Sequence, residues 1–411
     1  LTSVRMPEAL DTSRPIMILG GEVNAVALAR HLAPLGIEIF ISGTEGTWGM
    51  WSRHCSKAFP VPSGKTTHEH WRELLLSPDD TSLDGCLLFA LNDDAITFLI
   101  AHHAPLSRRY TVERFVPELR AAMLDKAETL ILAEAAGVPV PQHWPVTTAA
   151  DVERLRDKIT FPVMVKPIHS HRFVEAFGRK LFIIEDDFEQ VLHCVGLAEA
   201  REIEVMVVEM IPGSDELLSS YYTYIDENGA NLFHYTKRVV RRFPPNRGGA
   251  VYHVSEWLPE TAKLGQKFFA HVGWRGLANI EFKRDPRDGQ YKVIEVNARY
   301  TAAHRLVVRS GAPIDLIAYC DLTGQPGPRF DSYVQDMTYW YPLRDFRAFL
   351  ALRRQGQLTL LGWLRSIPLR RTVFPLFSYR DPMPSVVRMR QSLSGLMRKL
   401  RPGPRGKGDA A

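Results

Sequence analysis

Cysteine is scarce: the 411 residues contain four, Cys55, Cys86, Cys194 and Cys320, and no two of them form a CxxC pair. A thiol-reducing cytoplasm fits them better than a disulfide framework or a zinc site. Long apolar runs are missing too. No stretch reaches the ~18 uninterrupted apolar residues that a membrane-spanning helix needs. Residues 1–15 carry acids and prolines where a secretory signal would have an apolar core. Complete nucleotide fingerprints are also lacking. Gly20 and Gly21 close a strand-like run, but Glu22 and Ala25 fill the remaining glycine positions of GxGxxG. Ser63-Gly-Lys-Thr66 resembles the end of a phosphate-binding loop, yet Phe59 stands where its first glycine belongs. The pairs His68/His70, His102/His103 and His169/His171 have no Cys or carboxylate at ligand spacing, so they read as loop or surface histidines.

Charge is present but unevenly placed. Residues 331–411 hold 15 Lys or Arg against 5 Asp, a net +10, while the whole chain carries only +5; the preceding 330 residues are therefore near −5. Three segments follow from the pattern. Residues 1–115 alternate strands (15–21, 37–42, 86–91) with helical spacing from Val23 to Leu35, which predicts a Rossmann-like parallel sheet. Residues 116–330 predict two α+β lobes, about 116–205 and 206–330. They open with one helix over 117–136 that contains Asp125 and Lys126. Residues 331–411 form a basic extension of short amphipathic stretches, and the last eleven are expected to be disordered. Trp340, Trp363 and the arginines around them suit either an interfacial helix on anionic lipid or a cover over the body. No nucleic-acid-binding motif accompanies the charge.

The chemistry concentrates in a hairpin. Glu281 lies in Ala278-Asn-Ile-Glu-Phe-Lys283, and Glu295 and Asn297 lie in Tyr291-Lys-Val-Ile-Glu-Val-Asn297, with a turn-forming Arg284-Asp-Pro-Arg-Asp-Gly289 between them. Folding about Asp288 sets Glu281 opposite Glu295, and period-two alternation brings Asn297 to the same face. Two facing carboxylates repel by a few tenths to ~1 kcal/mol unless a hard cation bridges them, and Mg2+ takes such oxygen donors together with substrate phosphates. The plainer alternative is a solvated face backed by Ile280, Phe282, Ile294 and Val296. Lys126 and Lys166 are compact charges suited to phosphate oxygens. The strand ending Val207-Val-Glu-Met-Ile-Pro-Gly213, with Glu216 beyond it, can offer backbone groups to an adenine edge and a carboxylate to a ribose.

In this order the elements resemble the ATP-grasp superfamily over roughly residues 15–325. The resemblance implies an α/β and α+β protein, an ATP-grasp fold preceded by a Rossmann-like lobe, using ATP with Mg2+, for which Mn2+ can substitute. It implies that Lys126 and Lys166 contact phosphates, that Glu209 with the backbone of Met210 and Ile211 meets adenine, and that Glu216 holds the ribose. Glu281, Glu295 and Asn297 become the metal ligands, and Arg299 stands beside the reacting group. Arg241-Arg-Phe-Pro-Pro-Asn-Arg247 resembles the Arg-x-x-Pro-Pro run of the carboxylate–amine ligase branch, giving Arg241 a role at the transferred phosphate or the substrate carboxylate. The activity implied is ligation of a small carboxylate to an amine through an acylphosphate, in the cytoplasm, with dimers frequent in the family. A phosphoryl transferase, a carboxylase-like enzyme or a non-catalytic scaffold held at a membrane by the tail are the alternatives. Two departures stand out. The stretch between the lid strands, residues 168–178, keeps one glycine, with Ser170, Arg172 and Lys180 as anion binders, and Asn279 occupies a position where some ligases place an Arg. Asn92, Asp93 and Asp94 are candidates for contacting the substrate.

Overall fold

The computed structural model describes residues 7, 9–168, 170–179 and 181–400; the side chains of 170, 171 and 395–400 are outside the description. Lys180 and the eleven terminal residues expected to be disordered therefore lie outside the described residues.

Three sheets make the frame. The first is fully parallel, ordered β3-β2-β1-β4-β5, from β1 (Ile16–Leu19), β2 (Ile39–Gly43), β3 (Lys57–Pro60), β4 (Leu87–Ala90) and β5 (Thr111–Val112). Its central strands are apolar on both faces, as a parallel sheet covered by helices requires. The carboxyl ends of β1 and β4 converge. Gly20, at φ +70°, lies so close to Asn92 that a Cβ there would stand 2.6 Å from its side chain, so only glycine fits.

The second sheet is antiparallel, ordered β6-β9-β7-β8, from β6 (His143–Val146), β7 (Val163–Pro167), β8 (Phe182–Ile184) and β9 (Val205–Glu209). Val163, Val165, Val205 and Val207 pack beneath the helix Phe188–Glu199, leaving Met164 and Lys166 on the other face. The third sheet has seven strands, ordered β14-β13-β10-β11-β12-β15-β16: β10 (Leu218–Ile225), β11 (Asn231–Phe243), β12 (Gly249–Ser255), β13 (Gly276–Arg284), β14 (Tyr291–Asn297), β15 (Thr338–Trp340) and β16 (Thr372–Val373). The helix Pro259–His271 covers one face, where Gly265 lets the Tyr221 ring approach. The last two strands come from the basic segment, so that segment continues the sheet and packs on the body. Arg30, Ser52 and the Arg53 N–H all reach Asp381.

The helix expected over 117–136 is two, Pro117–Leu124 and Lys126–Ala135. Asp125 is extended at the break, and its carboxylate accepts the Ala127 and Glu128 N–H groups as an N-cap. The stretch after β7 holds the helix Ser170–Phe177.

Candidate active site

The third sheet carries a row of polar side chains on one face. Register sets Glu281 opposite Glu295, Ser220 opposite Glu281, and Lys237 opposite Ser220, so four neighbouring strands contribute one residue each. Asn297 pairs with Asn279 two positions along, on the same face, and its amide donates to Glu295 Oε1 at 3.2 Å. The hairpin register deduced from the sequence is the one found. It shifts by one at a bulge beyond Glu281, where Phe282 pairs with Val293. In consequence Val293, rather than Ile294, joins Ile280, Phe282 and Val296 in the core.

Lys237 is 1% exposed and donates to Ser220 Oγ at 2.9 Å. Burial lowers its pKa, while the carboxylates of Glu281 and Glu295 pull the other way. It continues the buried positions Phe233 and Tyr235 on one face of β11. A lysine in an apolar period-two series was the signal that could have singled it out. Glu281 is shifted upward, first by burial and next by Glu295, against the charges of Lys237, Arg242 and Arg299. Lys166, half-buried at the end of β7, is pushed down to about 8 by burial, with Lys126 and Arg242 adding to the shift and Glu295 opposing it. Lys126 opens the second half of the broken helix and reaches the Ile168 carbonyl at 3.4 Å. The sheet row thus gathers Glu281, Glu295, Asn297, Lys237 and Lys166 into one electrostatic neighbourhood.

The linker between β9 and β10 is clamped over the end of this row. Lys283, its own pKa lowered to about 8 mainly by burial, donates to the Ile211 and Gly213 carbonyls at 2.8 and 2.9 Å. Glu209 is buried and paired with Arg287 at 2.7 Å, and the Met210 N–H donates to the Pro162 carbonyl. Several groups expected at an adenine edge thus have intramolecular partners. The Met210 carbonyl and the Ile211 N–H have none among the described residues. Glu216 is exposed in the turn beyond.

The two arginines at 241 and 242 part company. Arg241 is 5% exposed and bound by Asp345 of the helix Pro342–Arg354, at 2.6 and 3.1 Å. It is therefore engaged by Asp345, where the sequence led to an expectation of a role at the transferred phosphate or the substrate carboxylate. Arg242 pairs with Asp215 at 2.8 Å and is the one whose charge reaches Glu281, Lys166 and Lys283. Arg299 also faces Glu281, and its Nε donates to Asp93 at 2.7 Å, tying the hairpin to the carboxyl end of β4. Asn92 caps the helix Asp93–Ala101. Arg172 donates to the carbonyls of Arg201 and Glu202, and Asn279 is fully buried with its amide on the Tyr221 carbonyl. His68 and His70 bond backbone carbonyls.

Surface cavities of about 390 and 440 Å³ open elsewhere, one beside Pro15 and Gly85 and the other around Arg114 and Arg275. The first lies at the amino ends of the parallel strands. Ligands of such sheets bind at the carboxyl ends, where Arg299 and Asp93 meet, so the row is the stronger site.

Comparisons with known proteins bear on the fold. Residues 259–318 match the family model "Carbamoyl-phosphate synthase L chain, ATP binding domain". The chain is 25% identical over 240 residues to a D-aspartate ligase of Enterococcus faecium, covering 55% of this chain and 56% of that protein. It is 25% identical over 209 residues to a D-alanine–D-alanine ligase of Xylella fastidiosa, covering 48% and 65%. The matched stretches thus span less than two thirds of either relative. In structure it is similar to N5-carboxyaminoimidazole synthetase of Staphylococcus aureus complexed with ADP, with a TM-score of 0.62 at 13% identity, covering 80% of this chain and 82% of that one. The chain has the ATP-grasp fold and resembles the carboxylate–amine ligase branch of that superfamily.

Proposed function

We propose that this chain is an ATP-dependent ligase that activates a small-molecule carboxylate as its acylphosphate and joins it to an amine. The observation that carries the reading is the opposed pair Glu281 and Glu295, with Lys237 in the same row and Lys166 beside it. Among the described residues no group of three or more His, Cys, Asp or Glu is placed to hold a metal ion. The donor set is two carboxylates and the Asn297 amide, and Mg2+ characteristically uses one or two carboxylates plus substrate phosphates. Burial first and Glu295 next disfavour the ionised form of Glu281, and a divalent ion at Glu281, Glu295 and Asn297 would favour it; Mn2+ suits the same donors. When bound, that ion would offset negative charge on the transferring phosphoryl group.

The remaining roles belong to the chain's own groups. Lys126, Lys166 and Lys237 hold phosphate oxygens, with Arg242 at their flank. The Met210 carbonyl and Ile211 N–H receive the adenine edge, Glu209 fixes the linker through Arg287, and Glu216 takes the ribose hydroxyls. Arg299 orients the acid at the junction with Asp93. A carboxylate oxygen of the acid attacks the γ-phosphorus as its bond to the bridging oxygen breaks and ADP leaves. The neutral amine nitrogen then attacks the acyl carbon, the C–O bond to phosphate breaks, and the nitrogen loses a proton as the amide forms. Positioning and charge neutralisation supply the rate. The names of the two relatives point to an amino acid as a substrate. The setting we propose is cytoplasmic, with small molecules rather than nucleic acid as partners and a homodimer as the assembly to test.

The test is an ADP-release screen of amino acids against carboxylic acids, with mass spectrometry of products. An amide with stoichiometric ADP and phosphate is expected, and Glu295→Ala should abolish it without lowering the melting temperature of the free protein. A stable phosphorylated or carboxylated product would favour the transferase or carboxylase-like outcome, to which the synthetase similarity points. The helix Ser170–Phe177 at the lid position favours a non-catalytic nucleotide-binding scaffold, and absence of ADP release across the panel would select it.

A further inference from the structure

Eighteen large apolar side chains stand exposed among the described residues, and twelve of them fall between Leu343 and Leu393. They are organised. Leu343, Phe346 and Leu350 form one stripe of the helix Pro342–Arg354 at spacings of three and four. The helix Leu360–Ser366 exposes Leu360, Leu361 and Leu364. Trp363 clamps the two helices together, its ring 4.8 Å from Phe349 and 5.6 Å from Phe346, and its Nε1 donates to Asp345. Leu369 follows at 90% exposure, and Leu343 is 70% exposed, so these side chains protrude and do not line a cavity.

Around them the charge has one sign. Residues 342–371 contain seven arginines, no lysine and a single acid. That acid, Asp345, is fully buried and neutralised by Arg241. A second copy of this face would set arginine against arginine, which argues against self-association through it. No helix among the described residues is long and apolar enough to cross a membrane, so the surface suits lying on a bilayer and not spanning one.

We propose that the helices Pro342–Arg354 and Leu360–Ser366, with the loop through Leu369, dock this protein on an anionic phospholipid surface. The leucines and Phe346 enter the headgroup boundary, and Arg347, Arg365 and Arg370 meet lipid phosphates. The anchoring is firm because Asp345 ties the docking helix to Arg241 on β11, the strand that also carries Lys237.

Flotation of the full chain with phosphatidylcholine vesicles, with and without phosphatidylglycerol, tests this independently of any ligase activity. The chain should float with the anionic vesicles only. Raising salt from ~0.1 to ~1 M, which cuts the screening length from about 10 to 3 Å, should release it. Arg365→Gln and Arg370→Gln should each weaken binding about fivefold. Leu361→Glu with Leu369→Glu should abolish flotation, and because both positions are exposed the melting temperature serves as the folding control. The assignment is overturned if the chain stays with solvent, if it floats equally on neutral vesicles, or if the double glutamate variant floats unchanged. It is likewise overturned by a dimer in sedimentation that the glutamate variant makes monomeric without any lipid binding, which would assign the face to a second copy.

Discussion

Replacing Glu281 by Gln keeps the side chain's shape and removes its charge, and the structure sets opposite signs for the effect on stability and on nucleotide binding. In the free protein the ionised carboxylate is disfavoured by burial and by Glu295 across the ladder, and Lys237, Arg242 and Arg299 do not fully compensate. Removing a like charge from a directly opposed pair returns a few tenths to ~1 kcal/mol, a rise in melting temperature of up to about 1 °C for a chain of this length. With Mg-ATP at a hundred times its Kd, the original protein should gain about 2.7 kcal/mol, whereas the variant, with half the carboxylate pair gone, should gain little. Thermal melts with and without Mg-ATP should therefore cross: the variant melts higher alone and lower with nucleotide. A variant that melts lower alone, or takes the full nucleotide shift, would refute the reasoning that this pair is a strained cation site.

Lys166, pushed down to about 8 by burial, is cationic below that pH and neutral above it. kcat/KM for ATP should thus fall as pH rises past about 8, since that ratio reports groups of the free enzyme; Lys166→Arg should remove this limb, and a profile flat to about pH 10 would contradict the role. Arg241→Ala leaves Asp345 buried with the Trp363 Nε1 donor but no cation, which should cost about 3–5 kcal/mol in chemical denaturation. Asp345→Ala in the same chain should recover part of it. Unchanged stability with lost ADP release would instead return Arg241 to the site. Asp315, fully buried between His31 at 2.7 Å and His304 at 2.9 Å, would be raised by burial alone, yet the two histidines hold it well below the carboxylate range. Burial alone would lower His31, but Asp315 raises it. The Asp315 contribution is present above the unfolded value near 3.8 and lost as pH falls through the folded one. The His31 contribution is present below 6.5 and lost as pH rises through its raised value. Asp315→Asn should flatten both limbs of melting temperature against pH.

How far the sequence could be read depended on whether the backbone kept a strict period. The hairpin register followed from alternation about Asp288 and held at Glu281 and Glu295, where pairing is regular. It failed at Ile294, because a bulge carries no consistent residue signature and shifts every later side chain. The same physics separates Arg241 from Arg242. Alternation from Lys237 would put Arg241 on Lys237's face, but the register shifts after Val239 and again after Arg241, and Arg241 turns to the side of Tyr252 and Asp345. Lys237 and Ser220 belong to a row that exists only once four strands are laid side by side, so no sequence spacing displays it. Other features were legible and went unread. Thr66 and Glu69 form a capping box opening the helix Thr67–Leu76, which accounts for the threonine of the spurious phosphate-loop match. Asp125 is likewise a cap residue in the middle of an expected helix.

Four charged groups at the row share one property: they sit in environments that oppose the charge they would carry in water. Lys166, Lys237 and Lys283 are all lowered and Glu281 is raised, each first by burial. A surface selected for stability alone would pair these groups directly or expose them, as it does Arg156 with Glu153. Here both signs are kept apart by the strand spacing and left partly uncompensated. A bound polyphosphate would restore the lysines' preference for the proton, and a divalent cation would do the same for the ionised form of Glu281. The free-energy cost held in the row is thus recovered on binding, so neutralising substitutions in it should stabilise the free fold while removing the preorganised charge on which phosphoryl transfer depends.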